Sequence, residues 1–184
     1  RSLTVTDVGP AYLGWMNDPE VTRYLECRFH GPHTQMELEA FVRAAETDMT
    51  CRLLGIFDRQ SRRHIGNIKL GDIDPNHLRA DLGVVVGNRA FWGRQVATEA
   101  IGLLTGYAFE TLGLNKIVAG CYKEQSASLK AFLKNGYRIA GEMTDHVRFN
   151  GRFMNAYWLE KLNPDSPETM TGTDDPLPSS GRKK

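Results

Sequence analysis

Residues 80–113 constrain this chain more than any other stretch. Leu82-Gly83-Val84-Val85-Val86-Gly87 reads as a strand, residues 88–93 as a loop, and a long helix enters at about Arg94. In that helix Ala97, Ile101, Leu104, Ala108 and Leu112 recur at spacings of three and four, with Gly113 at the expected stop. A strand feeding a long amphipathic helix must lay that helix on a sheet, so the chain belongs among mixed α/β domains.

The flanking segments fit such a domain. Asp7 is placed to cap a short helix running to Trp15, which Asn17-Asp18-Pro19 then breaks. Thr34-Gln35-Met36-Glu37 is a capping box, opening a second helix whose apolar positions include Leu38, Phe41 and Val42. Strand-like runs follow at residues 51–57, 65–73 and 80–86, with the polar residues 58–63 turning the first into the second. After the long helix, residues 116–122 read as a buried strand and 126–135 as a helix closed by Gly136. Asn150-Gly151 is a hairpin turn joining residues 137–149 to 152–160. From residue 163 the chain turns polar, with four prolines, which predicts a folded domain at 1–162 and a disordered tail at 163–184.

Composition narrows the function. A length of 184 residues fits one domain, and a net charge of +1 gives no footprint for nucleic acid or an anionic membrane. No apolar run approaches the ~20 residues that span a bilayer. Cys27, Cys51 and Cys121 are isolated, with no metal-ligand spacing, so neither a disulfide framework nor a structural zinc site is expected. A cytoplasmic protein, monomer or homodimer, without metal, is the expectation.

Taken alone, the loop at residues 88–93 has two readings. The N-terminus of the long helix offers unpaired N–H groups and partial positive charge, which suit a phosphate. It is equally readable as a plain strand-to-helix turn. Neither G-x-G-x-x-G nor a P-loop is present.

Trp92-Gly93-Arg94-Gln95-Val96-Ala97-Thr98-Glu99-Ala100 resembles the acyl-CoA pyrophosphate loop of the GNAT superfamily. It is nearest the branch holding ribosomal-protein N-terminal, spermidine and amino-sugar acetyltransferases. Trp15-Met16-Asn17-Asp18-Pro19-Glu20-Val21, Ala80-Asp81-Leu82-Gly83, Tyr107-Ala108-Phe109 and Lys134-Asn135-Gly136-Tyr137 match that branch in the same order. The resemblance implies a mostly antiparallel central sheet, splayed open in a V and flanked by helices. It also implies acetyl-CoA as co-substrate. The pyrophosphate would rest on Gly93, Arg94, Gln95, Val96, Ala97 and Thr98 beside Trp92, and the pantetheine arm on the strand edge at Val84, Val85 and Val86.

The resemblance further implies contacts from Gln125, Ser128 and Phe132 on the later helix. There are two departures from the family loop and helix. Gln95 replaces the second loop glycine, and Gln125 stands where relatives carry Asn. Phe132 holds the position of a Tyr that protonates the leaving thiolate in many members. Ser128 is left with two readings, a replacement donor or a residue packing and capping its helix.

Aminolysis needs a neutral amine, and hence a proton acceptor near pH 7. Asp81 is the first candidate, acting through water or orienting the amine; its other reading is a surface pair with a basic residue such as Arg79. His146 is the second, against the reading of an exposed strand histidine. The loop at residues 26–34 lines the acceptor site in many members, so Tyr24, Phe29 and His30 are candidate substrate contacts, Tyr24 and Phe29 being also readable as core or lid. The expected reaction is acetyl transfer to a primary amine by direct attack in a ternary complex, with an amino sugar or other small amine as acceptor. A protein N-terminus is the alternative acceptor, and a non-catalytic acyl-CoA-binding module the alternative class.

Overall fold

The computed structural model describes residues 1–166, and most of the expected tail, residues 167–184, lies outside the described residues. Among these residues, five helices and six strands follow in the expected order, apart from the short α2, which is not among the expected elements: α1 (Pro10–Met16), α2 (Pro19–Thr22), α3 (Gln35–Thr47), β1 (Arg52–Phe57), β2 (His64–Asp74), β3 (Arg79–Val85), α4 (Val96–Glu110), β4 (Lys116–Tyr122), α5 (Ser126–Lys134), β5 (Arg138–Phe149) and β6 (Arg152–Leu162).

The N-terminal helix starts differently from the sequence expectation. Its N-cap is Gly9 with Pro10 in the first turn, where a missing N–H costs nothing. Asp7 instead closes a single turn, accepting from the Thr4 N–H at 2.9 Å and pairing with Arg1 at 2.7 Å. Asn17-Asp18-Pro19 ends α1 and also starts α2, because the Asp18 carboxylate accepts from the Glu20 N–H at 2.9 Å. The Thr34/Glu37 capping box forms as the spacing requires.

The six strands make one sheet in the order β1-β2-β3-β4-β6-β5. All pairings are antiparallel except β3 with β4. Alternation sends each strand's apolar residues to two opposite faces. On one face Leu70, Leu82, Ile117, Ala119 and Leu159 bury against Ile101, Leu104 and Ala108 of α4 and against Phe132 of α5. On the other, Leu53 and Cys51 meet Tyr12 of α1 and Leu38 and Val42 of α3. At the end of β6, Asn163 donates its N–H to Asn115 O at 2.8 Å, one residue past the expected domain edge.

β3 and β4 are paired in parallel only at Arg79↔Lys116, Ala80↔Ile117 and Asp81↔Val118. Both continue, β3 to Val85 and β4 to Tyr122, without further ladder. The sheet therefore opens into a V at Asp81, leaving two strand edges facing a gap.

Candidate functional site

Several devices build the gap. β3 is held against β2 so closely that a Cβ on Gly66 would sit 2.4 Å from Val85 O. Past β3, the Trp92 indole N–H donates to Val86 O at 2.7 Å, tying the loop back to the strand end. Trp92 thus has a structural partner, and Arg89 lies over its ring at 5.5 Å. The free edge near Val84, Val85 and Val86 is where an extended chain would pair as an added strand.

The start of α4 is uncapped: no side chain caps it, and Gln95, the N-cap, is left-handed at φ 60. Gly93 is left-handed as well, at φ 74. The N–H groups of Gly93, Gln95, Val96, Ala97 and Thr98 find no acceptor in the described protein. Consecutive free N–H groups at a helix N-terminus form an anion seat. Gln95 occupies the conformation that glycine takes without strain, so the loop geometry is kept despite the substitution.

α5 covers one flank of α4. Asn135 Nδ2 donates to Thr98 O at 2.9 Å, and a Cβ on Gly102 would lie 2.7 Å from Asn135 Oδ1. At the start of α5 stands Gln125, whose carbonyl accepts from the Cys121 thiol at 3.7 Å. Burial pushes that thiol's pKa up, with the Ser128 side chain partly offsetting it. Gln125, Ser128 and the open end of β4 are therefore together. Phe132 is a different case: only 2% exposed and edge-on to Tyr137 at 5.0 Å, it is a core residue with no face free for a ligand.

On the opposite face of the sheet sits Asp81, between Ala80 and Leu82, which both point into the α4 core. Burial first, and then the charge of Asp72, hold the Asp81 carboxyl above the usual carboxylate range, with Lys69 partly offsetting them. Asp72 reaches this position because β2 bulges between Gly71 and Asp74, with Asp72 itself at φ 48. A half-buried carboxyl with a raised pKa thus stands at the point where the V opens.

The structure does not bring His146 to this point. It is exposed on the edge strand β5, inside a bulge between Met143 and Val147, with β6 and β4 between it and β3. Tyr24 stacks on Phe149 at 5.3 Å and meets Tyr122 edge-on at 5.6 Å. Phe29 is exposed beneath the Arg28 guanidinium at 4.1 Å, and His30 is exposed beside it. Tyr122, absent from the sequence reading, donates its hydroxyl to Glu26, and Arg28 donates to Arg148 O at 3.1 Å. The loop is thereby docked over the end of β4 and the β5–β6 hairpin. Nothing local in the sequence signals a pairing 96 residues apart.

Two further observations bound the site. A concavity of about 1100 Å³ lies between α4 and β1–β2, on the flank of α4 away from α5, with Phe57, Arg94, Leu103 and Tyr107 in its wall. Among the described residues, no group of three or more His, Cys, Asp or Glu is gathered as metal ligands, and no helix is long and apolar enough to cross a membrane.

A six-stranded sheet parted between two parallel strands, with an uncapped helix start at the opening, defines a class of acyl-transfer proteins. Residues 1–138 match a family model described as an acetyltransferase (GNAT) domain. The chain belongs to that family and is a GNAT-type N-acetyltransferase. An uncharacterised N-acetyltransferase of Bacillus licheniformis is 26% identical over 163 residues, covering 88% of this chain and 90% of the relative. A spermidine N(1)-acetyltransferase of Escherichia coli is 28% identical over 109 residues, 55% of this chain and 58% of the relative. A spermidine N-acetyltransferase of Vibrio cholerae, solved with CoA and spermine, superposes with a TM-score of 0.78 at 22% identity, over 89% of this chain and 94% of that one.

Proposed function

We propose that this protein transfers an acetyl group from acetyl-CoA to the primary amine of a small, multiply charged amine, with Asp81 receiving the proton. The observation that carries this reading is the parting of β3 from β4 at Asp81↔Val118, beside the free N–H groups at the start of α4.

In this reading acetyl-CoA supplies the activated acyl group. The chain's residues do the rest. Gly93 and the N–H groups of Gln95, Val96, Ala97 and Thr98 seat the pyrophosphate, with Arg94 beside them. The edge of β3 at Val84, Val85 and Val86 aligns the pantetheine arm, and a backbone N–H there polarises the acyl carbonyl. Gln125 and Ser128 line the other wall, with Ser128 positioned for the sulfur end. Asp81 accepts the amine proton directly or through one water, on the face opposite α4. Tyr24, Phe29 and His30 belong to the loop over the acceptor end.

The relatives with a named substrate act on spermidine. None of those named above carries an amino sugar in its name, so a polyamine-like amine replaces the amino sugar as the favoured acceptor. His146 and Phe132 are not part of the proposed machinery. The test is calorimetric titration with acetyl-CoA against ATP, followed by a screen for CoA thiol release over amines, amino sugars and peptides. CoA-selective binding with release on small amines supports the proposal. Release on peptide N-termini alone would reassign the acceptor, and absence of CoA binding would overturn it.

A further inference from the structure

Trp158 is an anomaly of the sheet. It lies on β6, an interior strand between β4 and β5, yet its side chain is exposed at 40%. Its neighbour Leu159 is fully buried in the α4 core, so Trp158 points to the opposite face, the face of Asp81. Its cross-strand partners are Gly120 on β4 and Gly141 on β5. A Cβ on Gly120 would be 4.0 Å from the indole, so the ring leans toward Gly120, and neither partner carries a side chain that could cover it. The helices α1 and α3 that cover this face pack against β1 and its neighbours, leaving the ring uncovered.

The ring is also electrostatically vacant. Of the exposed aromatics around the site, Phe29 carries Arg28 at 4.1 Å and Trp92 carries Arg89 at 5.5 Å. Among the described residues no Lys or Arg is stacked on Trp158. Across β6, Glu160 holds both Lys116 at 2.6 Å and Arg138 at 2.5 Å. An electron-rich face with no internal cation is a seat for an external one. The register places it: Asp81 opposes Val118, two residues before Gly120, which opposes Trp158. Strand spacing and rise then put the Asp81 and Trp158 Cα atoms about 12 Å apart on one face.

We infer that Trp158 is a specificity-determining residue. Its ring, flanked across the strands by Gly120 and Gly141, holds the second, non-reacting ammonium of a polyamine whose neutral primary amine lies at Asp81. This deepens the proposed acetyltransferase reading and rests on it for the identity of the reacting end. It selects against monoamines, which have nothing to place on the ring.

The experiment compares wild type, Trp158→Ala and Trp158→Phe, with spermidine and hexylamine as probes. Spermidine binding is read by calorimetry in the presence of CoA, and turnover by thiol release. The expected result in Trp158→Ala is a loss of spermidine affinity and a rise in its KM of about tenfold. Its kcat stays within about twofold, hexylamine kinetics do not change, and Trp158→Phe restores most of the affinity. Undetectable spermidine binding in wild type, or equal binding in wild type and Trp158→Ala, overturns the inference. So does a change of oligomeric mass in Trp158→Ala with spermidine binding intact, which makes the ring an interface between copies. Spermidine binding that depends on Trp158 without any thiol release keeps the aromatic seat and rejects the acetyltransferase reading.

Discussion

At the residue scale, the decisive positions are Asp81 and Gln95. The Asp81 carboxyl is raised by burial and by Asp72, so the folded state binds its proton more tightly than the unfolded chain does. The stability this proton contributes is present below the unfolded pKa and is lost as pH rises through the raised folded value. Ionising this carboxylate is therefore a local cost to the fold, which the proposed proton-accepting role explains. Asp81→Asn raises the melting temperature at pH 7 and lowers kcat by 100-fold or more, on the order of a lost general base. Removing the neighbouring charge, Asp72→Asn, moves the acid limb of the kcat/KM profile to lower pH. Gln95 holds φ 60 without a glycine's freedom. Gln95→Gly gains about 1 kcal/mol of stability by thermal melt. Acetyl-CoA affinity changes less than about threefold by calorimetry, because the free N–H groups are already in place. A large affinity gain would instead mark a decayed anion seat.

At the element scale, the site depends on how β3 is held. Gly66 lets β2 approach β3 closely enough that a Cβ would overlap Val85 O at 2.4 Å. Gly66→Ala forces the strands apart at the level of the free edge. The expected cost is about 1–3 kcal/mol in urea unfolding, with weaker acetyl-CoA binding beyond that measured for an exposed Gly→Ala control. Much of the element level was readable from one chain. The α4 periodicity, the Thr34/Glu37 capping box and the Asn150-Gly151 turn all specify local structure through neighbours a few residues away, and all three form. The start of α1 was misread because Asp and Pro-preceding Gly are both competent caps. The bonds from Thr4 and the Arg1–Asp7 pair engage Asp7 in the preceding turn instead.

At the scale of the whole molecule, the V joins two layers that share little sequence. In the proposed reading the α4–α5 layer seats the pyrophosphate, and the α1–α3 layer with the loop at Glu26–Phe29 lies over the acceptor end. A ligand lying in the gap touches β3, α4 and α5 at once, so it stabilises the fold as a unit. At acetyl-CoA a hundredfold above its Kd the gain is about 2.7 kcal/mol, a rise in melting temperature of roughly 5–10 °C. Thermal melts with acetyl-CoA and with equimolar ATP check this, and an equal shift from ATP would show a nonselective anion seat.

The sequence by itself determined most of the elements, the mixed α/β class and the position of the loop that enters α4. These rest on short-range periodicity, caps and turn residues, together with a family-like string at residues 92–100. What only the tertiary structure decided is which strands meet and where they stop meeting. The placement of β6 between β4 and β5, the end of the β3–β4 ladder at Asp81, the approach of Asp72 to Asp81 and the vacancy over Trp158 all depend on contacts between distant segments. The same physics keeps Phe132 and His146 away from the opening of the V. Phe132 packs in the core against Tyr137, and His146 lies on β5, the strand that the sheet order puts at the edge. Local pattern records what a residue is suited to, and packing of distant strands decides which of those roles the residue can reach.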